Sequence, residues 1–149
     1  MKKYVFSAKA TMWASRFVAA LIAFFLIFFP ELVRGYHEKF RPMTDSERKA
    51  LLGAFYLSAL AVEFAMYHMD KLLRNILRAE LFTAENVRHI RMVRWCCVWV
   101  STVCLITFFG FPALIFISVI MAFLALVVTV VGQVMKAAVE LREENDLTI

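Results

Sequence analysis

Turn-forming residues are scarce in this chain, with four glycines and three prolines in 149 residues. Folds built from many turns draw heavily on both, so few and short connections are expected. Charge is also sparse, at 19% of residues against 62% apolar. A soluble domain has about 25% charged and 45–50% apolar residues. The three cysteines, Cys96, Cys97 and Cys104, share one apolar stretch. Neighbours on a helix point away from each other and bridge poorly, and the spacing fits neither a disulfide framework nor a zinc site. They read as helix-packing residues, with lipidation of Cys96 or Cys97 as the alternative. Gly-x-Ser-x-Gly, Gly-rich phosphate loops and His-Glu-x-x-His are all missing. No enzyme, cofactor or metal is therefore expected.

What is present is apolar sequence in four long stretches. The expected fold is all-α, an integral membrane four-helix bundle in a single domain, 1–149. Its helices are expected at about 12–33, 50–69, 84–109 and 113–141, each near the length needed to cross about 30 Å of hydrocarbon. The first stretch follows Lys2, Lys3, Lys9 and Arg16, the charge pattern of a signal peptide. Its core ends in Phe28, Phe29, Pro30 and Glu31, which suits cleavage poorly, so a retained helix is expected. Thr44 with Glu47 has the spacing of a capping box before the second helix.

The connection between the second and third apolar stretches is the longest polar segment. Leu72, Leu73, Ile76, Leu77 and Leu81 recur at helical spacing, with Lys71, Arg74 and Arg78 between them. That pattern predicts an amphipathic cytoplasmic helix over about 70–81. Thr83 is placed to cap the third helix. Arg88, Arg91 and Arg94 then fall on one face. The turn Phe109-Gly110-Phe111-Pro112 leads into an apolar run that carries no ionisable residue until Lys136. An acidic tail, 140–149, contains Glu140, Glu143, Glu144 and Asp146 and is expected to project into water.

Charge placement orients the chain. The N-terminal flank, middle connection and C-terminal flank hold twelve bases, and the opposite side holds five. Basic residues are retained in the cytoplasm, so both termini are expected on the cytoplasmic side. The net charge of +5 reads as membrane-flanking charge, since no soluble face interleaves bases with polar and aromatic groups as a nucleic-acid surface does. No direct contact with nucleic acid is expected.

Glu63 is the acid that lies deep in an apolar stretch, where an unpaired charge costs about 2.5–3.5 kcal/mol. With antiparallel first and second helices, Arg16 and Glu63 fall at similar depth. An Arg16–Glu63 pair is expected, with Tyr67 one turn away as a hydrogen-bond donor. A charge pair that sets helix register and an ion or proton site are the two roles open to it. His68 and His89 are able to approach each other on the cytoplasmic side, but no further ligands accompany them.

The segment Phe82-Thr83-Ala84-Glu85-Asn86-Val87, followed by arginines, resembles the cytoplasmic segment of the bacterial membrane proteins called domain of unknown function 2975. The ending Glu143-Glu144-Asn145-Asp146-Leu147-Thr148-Ile149 is similar to that family's C-terminus. The resemblance implies a four-helix, multi-pass protein of the bacterial inner membrane without established activity. It also implies a gene neighbourhood, since members are often encoded beside a small Cro/CI-type helix-turn-helix regulator.

Two function classes follow, with a third beside them. The first is a membrane regulatory or docking protein that holds a small helix-turn-helix regulator. Its face would combine Arg74, Arg78, Arg88, Arg91 and Arg94 with the acidic tail. The second is a small transporter or channel, built as a homo-oligomer, that uses Glu63. An immunity-type or scaffold protein is the third. The lipid bilayer is the common partner in all three.

Overall fold

The structure is a computed structural model that describes residues 2–39, 42–78 and 83–147; side chains are described from residue 10 to residue 145 within those ranges. Its elements are α1 (Lys2–Lys39), α2 (Asp45–Leu77), α3 (Ala84–Thr107) and α4 (Leu114–Leu147). All four contain a stretch long and apolar enough to cross a membrane. No strand occurs among the described residues.

Three helices outrun the hydrocarbon. At about 1.5 Å per residue, the 38 residues of α1, 33 of α2 and 34 of α4 span roughly 57, 50 and 51 Å. Lys, Glu, Arg and Ala are strong helix formers, and neither Gly nor Pro occurs in the polar segments 2–16, 70–77 and 136–147. α1 therefore begins at Lys2 instead of residue 12, and α4 carries the acidic segment as helix to Leu147 instead of releasing it as a tail. For the same reason no separate amphipathic helix starts at Asp70. Residues 70–77 are the last two turns of α2, and residues 79–82 lie outside the described residues.

The helix starts follow the capping signals. Thr44 precedes α2, and its backbone N–H donates to Glu47 Oε2 at 2.9 Å. Thr83 precedes α3, and its hydroxyl accepts from the Asn86 N–H at 3.4 Å. Before α2, His37 Nδ1 accepts from the Met43 N–H at 2.8 Å and ties the end of α1 to the incoming chain.

Packing follows chain order. α1 lies on α2, α2 on α3, and α3 on α4; among the described residues α1 meets neither α3 nor α4, and α2 does not meet α4. The expected four-helix bundle thus takes the form of an open row of antiparallel helices. Many large apolar side chains, including Phe17, Ile27, Ile106 and Phe116, stay exposed, as an apolar solvent permits. With no hydrophobic force between helices in lipid, close packing and polar contacts decide association.

The α3–α4 pair shows this most clearly. Ser118, Ala125, Gly132 and Val139 recur every seventh residue along α4, and Ser118, Ala125 and Val139 are buried. α3 lies between α2 and α4 and is buried on both sides: Ile90 and Ser101 face Gly132 and Ser118 of α4, while Asn86 and Cys104 turn to Asn75 and Ser58 of α2. A seven-residue repeat keeps one seam facing its partner in a left-handed crossing. Ser101 and Ser118 clasp across it. Each hydroxyl donates to the other residue's backbone carbonyl at 2.9 Å. All three cysteines are buried and unpaired.

α1 is joined to α2 by aromatic and polar contacts. Phe29 and Phe55 stack with ring centroids 3.5 Å apart. Pro30 lies inside α1, where it removes the N–H that the Leu26 carbonyl needs and pushes that carbonyl aside. Tyr56 Oη donates to the Leu26 carbonyl at 3.0 Å, so α2 supplies the hydrogen bond that Pro30 takes away.

Candidate functional site

Polar residues concentrate at one end of the row, where α1 starts, α2 ends, α3 starts and α4 ends. Antiparallel packing brings together the four segments that carry most of the bases. Two clusters form there.

The first lies between α1 and α2. Ser15, Arg16, Glu63, Met66, Tyr67 and Asp70 line a cavity of about 190 Å³. Arg16 Nε sits 3.4 Å from Asp70 Oδ1, an electrostatic contact, since that oxygen accepts no hydrogen bond. Arg74 pairs with the other Asp70 oxygen one turn along α2. Arg16 was expected to pair with Glu63; its guanidinium goes to Asp70 instead. The physical reason is reach. A long arginine stem near a membrane edge extends its head toward water, and Asp70 lies two turns nearer the polar end than Glu63. Glu63 Oε1 is left buried without a hydrogen-bond partner. Tyr67 does not supply one: it is exposed, and the Lys71 ammonium lies 5.6 Å from its ring centroid. The structure thus brings Arg16, Glu63 and Tyr67 to one cavity without a direct bond among them.

The second cluster pins α2 to α3. His68 Nδ1 and His89 Nδ1 are 2.8 Å apart, so one ring donates and the other accepts. His89 is buried, and its Nε2 is 3.5 Å from Glu85 Oε1. Two turns further along α2, Asn75 Nδ2 donates to Asn86 Oδ1 at 2.8 Å, and Asn86 is fully buried. The Thr83-Ala84-Glu85-Asn86 segment therefore caps α3, faces His89 and locks onto α2. Asn75 and Asn86 were not singled out from the sequence. The signal lay in their helical positions, since Asn75 is seven residues beyond His68 and Asn86 three before His89. Among the described residues no group of three or more His, Cys, Asp or Glu is placed to hold a metal.

The remaining candidates are spread over this end. Arg78 ends α2 and is exposed; Arg88 and Arg91 are exposed on α3. Arg94 is half-buried, 5.7 Å from the Trp95 ring centroid. Glu140 pairs with Lys136 at 3.4 Å on α4. Glu143 and Glu144 are exposed on the last turns of α4. The Asp146 side chain lies outside the described ones.

Helices of this length and apolarity, stacked in a row with charge gathered at their ends, define a multi-pass helical membrane protein. The sequence pattern of the family described as "Protein of unknown function (DUF2975)" matches residues 32–149, and the chain belongs to that family. It is also similar to the "Uncharacterized membrane protein YoaS" of Bacillus subtilis (strain 168). The two are 28% identical over an alignment covering 63% of this chain and 67% of the relative. No solved structure matches. The family match, residues 32–149, includes the α2–α3 pins and the α3–α4 seam.

Proposed function

We propose that this protein is a membrane regulatory or docking platform in a bacterial inner membrane. Both termini lie in the cytoplasm, and the basic end of the row holds a small helix-turn-helix transcription regulator. The observation that carries this reading is the braced, charged end. α2 and α4 extend well beyond hydrocarbon thickness, and the His68–His89 and Asn75–Asn86 bonds hold α2 and α3 rigidly together where they emerge. Docking surfaces gain affinity when their elements are held in place before binding. The surface carries both signs of charge, with Arg78, Arg88 and Arg91 on one side and Glu140, Glu143 and Glu144 on α4. The twelve-to-five distribution of bases supports the orientation, and the gene neighbourhood implied by the resemblance supports the partner. The protein acts through binding and not through catalysis.

The test is recovery of the regulator encoded nearby with the tagged membrane protein in detergent. The wild-type protein retains the regulator, and the Glu140→Gln, Glu143→Gln, Glu144→Gln variant loses it. Failure of the wild-type protein to retain it rejects the reading. A second reading, a small transporter or channel, is favoured by the unsatisfied Glu63 Oε1 in the α1–α2 cavity. Ion flux in proteoliposomes that disappears with Glu63→Gln would replace the docking reading.

A further inference from the structure

Between α3 and α4, near the basic end, lies a cleft of about 130 Å³. It is separate from both polar clusters. Arg91 and Arg94 from α3 and Lys136 from α4 line it, together with Thr129, Gln133 and Gly132. Its remaining walls, Val87, Ile90 and Val128, are apolar.

The level of these groups follows from the seam. Ser101 bonds Ser118, and a Cβ on Gly132 would stand 3.2 Å from Ile90 Cγ2. By that register Arg94 lies level with Val128, inside the uncharged run of α4, and Lys136 lies about two turns nearer water. An intramembrane arginine is costly unless it is paired or reaches the interface. Among the described residues neither Arg91 nor Arg94 has a carboxylate within ion-pair distance, and Lys136 has only its exposed neighbour Glu140. Such an exposed pair contributes little and yields readily to a better anion. The cleft therefore gathers three cations and an amide beside apolar walls, the Thr129 hydroxyl being donated to the Ala125 carbonyl, and no carboxylate lines it.

We propose that this cleft binds the phosphate of an anionic lipid, with the headgroup against Arg91, Arg94 and Lys136 and the first chain carbons against Val128 and Ile90. Free phosphate shares the headgroup chemistry, but it leaves the apolar walls uncovered. Basic pockets between membrane helices suit anionic headgroups for this reason. The proposal does not depend on the docking reading.

The test uses the full chain, delipidated in neutral detergent. Three probes are compared, phosphatidylglycerol, phosphatidylcholine and inorganic phosphate, by native mass spectrometry of retained lipid and by thermal shift. Phosphatidylglycerol is expected to be retained about tenfold over phosphatidylcholine, the scale of one or two basic contacts with a headgroup. The Arg91→Gln, Arg94→Gln double variant should bring the two lipids to parity. Lys136→Gln, at an exposed position that leaves folding intact, should lower the preference several-fold. Arg34→Gln with Arg48→Gln, at the other end of the row, should leave it unchanged. Equal retention of both lipids by the wild-type protein overturns the proposal. So does a preference that survives both cleft variants. A full thermal shift from inorganic phosphate with no lipid preference overturns the lipid as the source of the anion.

Discussion

The hydrogen bond from Tyr56 to the Leu26 carbonyl has a consequence that can be measured as a coupling. Pro30 has no N–H, so in α1 the Leu26 carbonyl depends on Tyr56. Changing Tyr56 to Phe removes one hydroxyl and leaves that carbonyl unsatisfied. An intramolecular hydrogen bond contributes a net 0.5–1.5 kcal/mol in typical series, and interhelical bonds in membranes average about 0.6 with a maximum near 1.7. Pro30 removes the donor that this carbonyl would ordinarily use, which places Tyr56→Phe toward the upper part of that range, about 1 kcal/mol or roughly fivefold in the unfolding equilibrium. Pro30→Ala restores a donor within the helix. In that background Tyr56→Phe should cost only a few tenths of a kcal/mol, because the carbonyl keeps one bond. The assay is equilibrium unfolding in mixed micelles for the four proteins of the cycle, with the coupling taken as the difference between the two Tyr56→Phe effects. An equal cost of Tyr56→Phe in both backgrounds would refute the reasoning, since the hydroxyl would then be acting through packing alone.

Three further outcomes are expected. In a cycle of Arg16→Gln and Asp70→Asn the effects should be non-additive by about 0.5–1 kcal/mol, given that Arg16 is 47% and Asp70 17% exposed and exposed pairs are weak; Arg16→Gln with Glu63→Gln should be additive, and unfolding in micelles separates the two. Asn86→Ala should destabilise by about 1–3 kcal/mol, because Asn75 loses its acceptor inside a buried contact; a cost equal to that of Asn75→Ala alone, with no further loss in the double variant, identifies the pair as the unit. Ser101→Ala with Ser118→Ala should cost less than the sum of the single changes, as the two hydroxyls share one clasp; additive thermal shifts would argue against it.

Several elements were legible from residue patterns alone. The four apolar stretches marked the helices, and Thr44 and Thr83 marked two of their starts, because both signals are local. The approach of His68 to His89 was legible because antiparallel helices on either side of a short connection must bring those positions together. The partner of Arg16 was not. Depth counted along two helices gives a level, while a flexible arginine stem spans two turns and chooses the acid nearer water. The rescue of the Leu26 carbonyl was equally hidden, since it depends on the register of α1 against α2 that Phe29 and Phe55 set. The seam of α4 was written in Ser118, Ala125, Gly132 and Val139, but small residues among many valines and leucines do not stand out until burial selects them. Helix ends are not legible from polarity, because Lys, Arg and Glu continue a helix about as well as Leu does.

The open row has a mechanical corollary. Helices that touch only their sequence neighbours load in series, like links in a strap. Pulled between its two ends, such a chain yields one link at a time. α4 is fastened along a seam with paired serines, whereas among the described residues α1 meets α2 through the Phe29–Phe55 stack, the Tyr56 and Ser15 hydroxyls and the Arg16–Asp70 ion pair. Under tension in a bilayer α1 should peel away first, as a discrete early step in the extension trace, and leave the other three helices standing as an assembled unit.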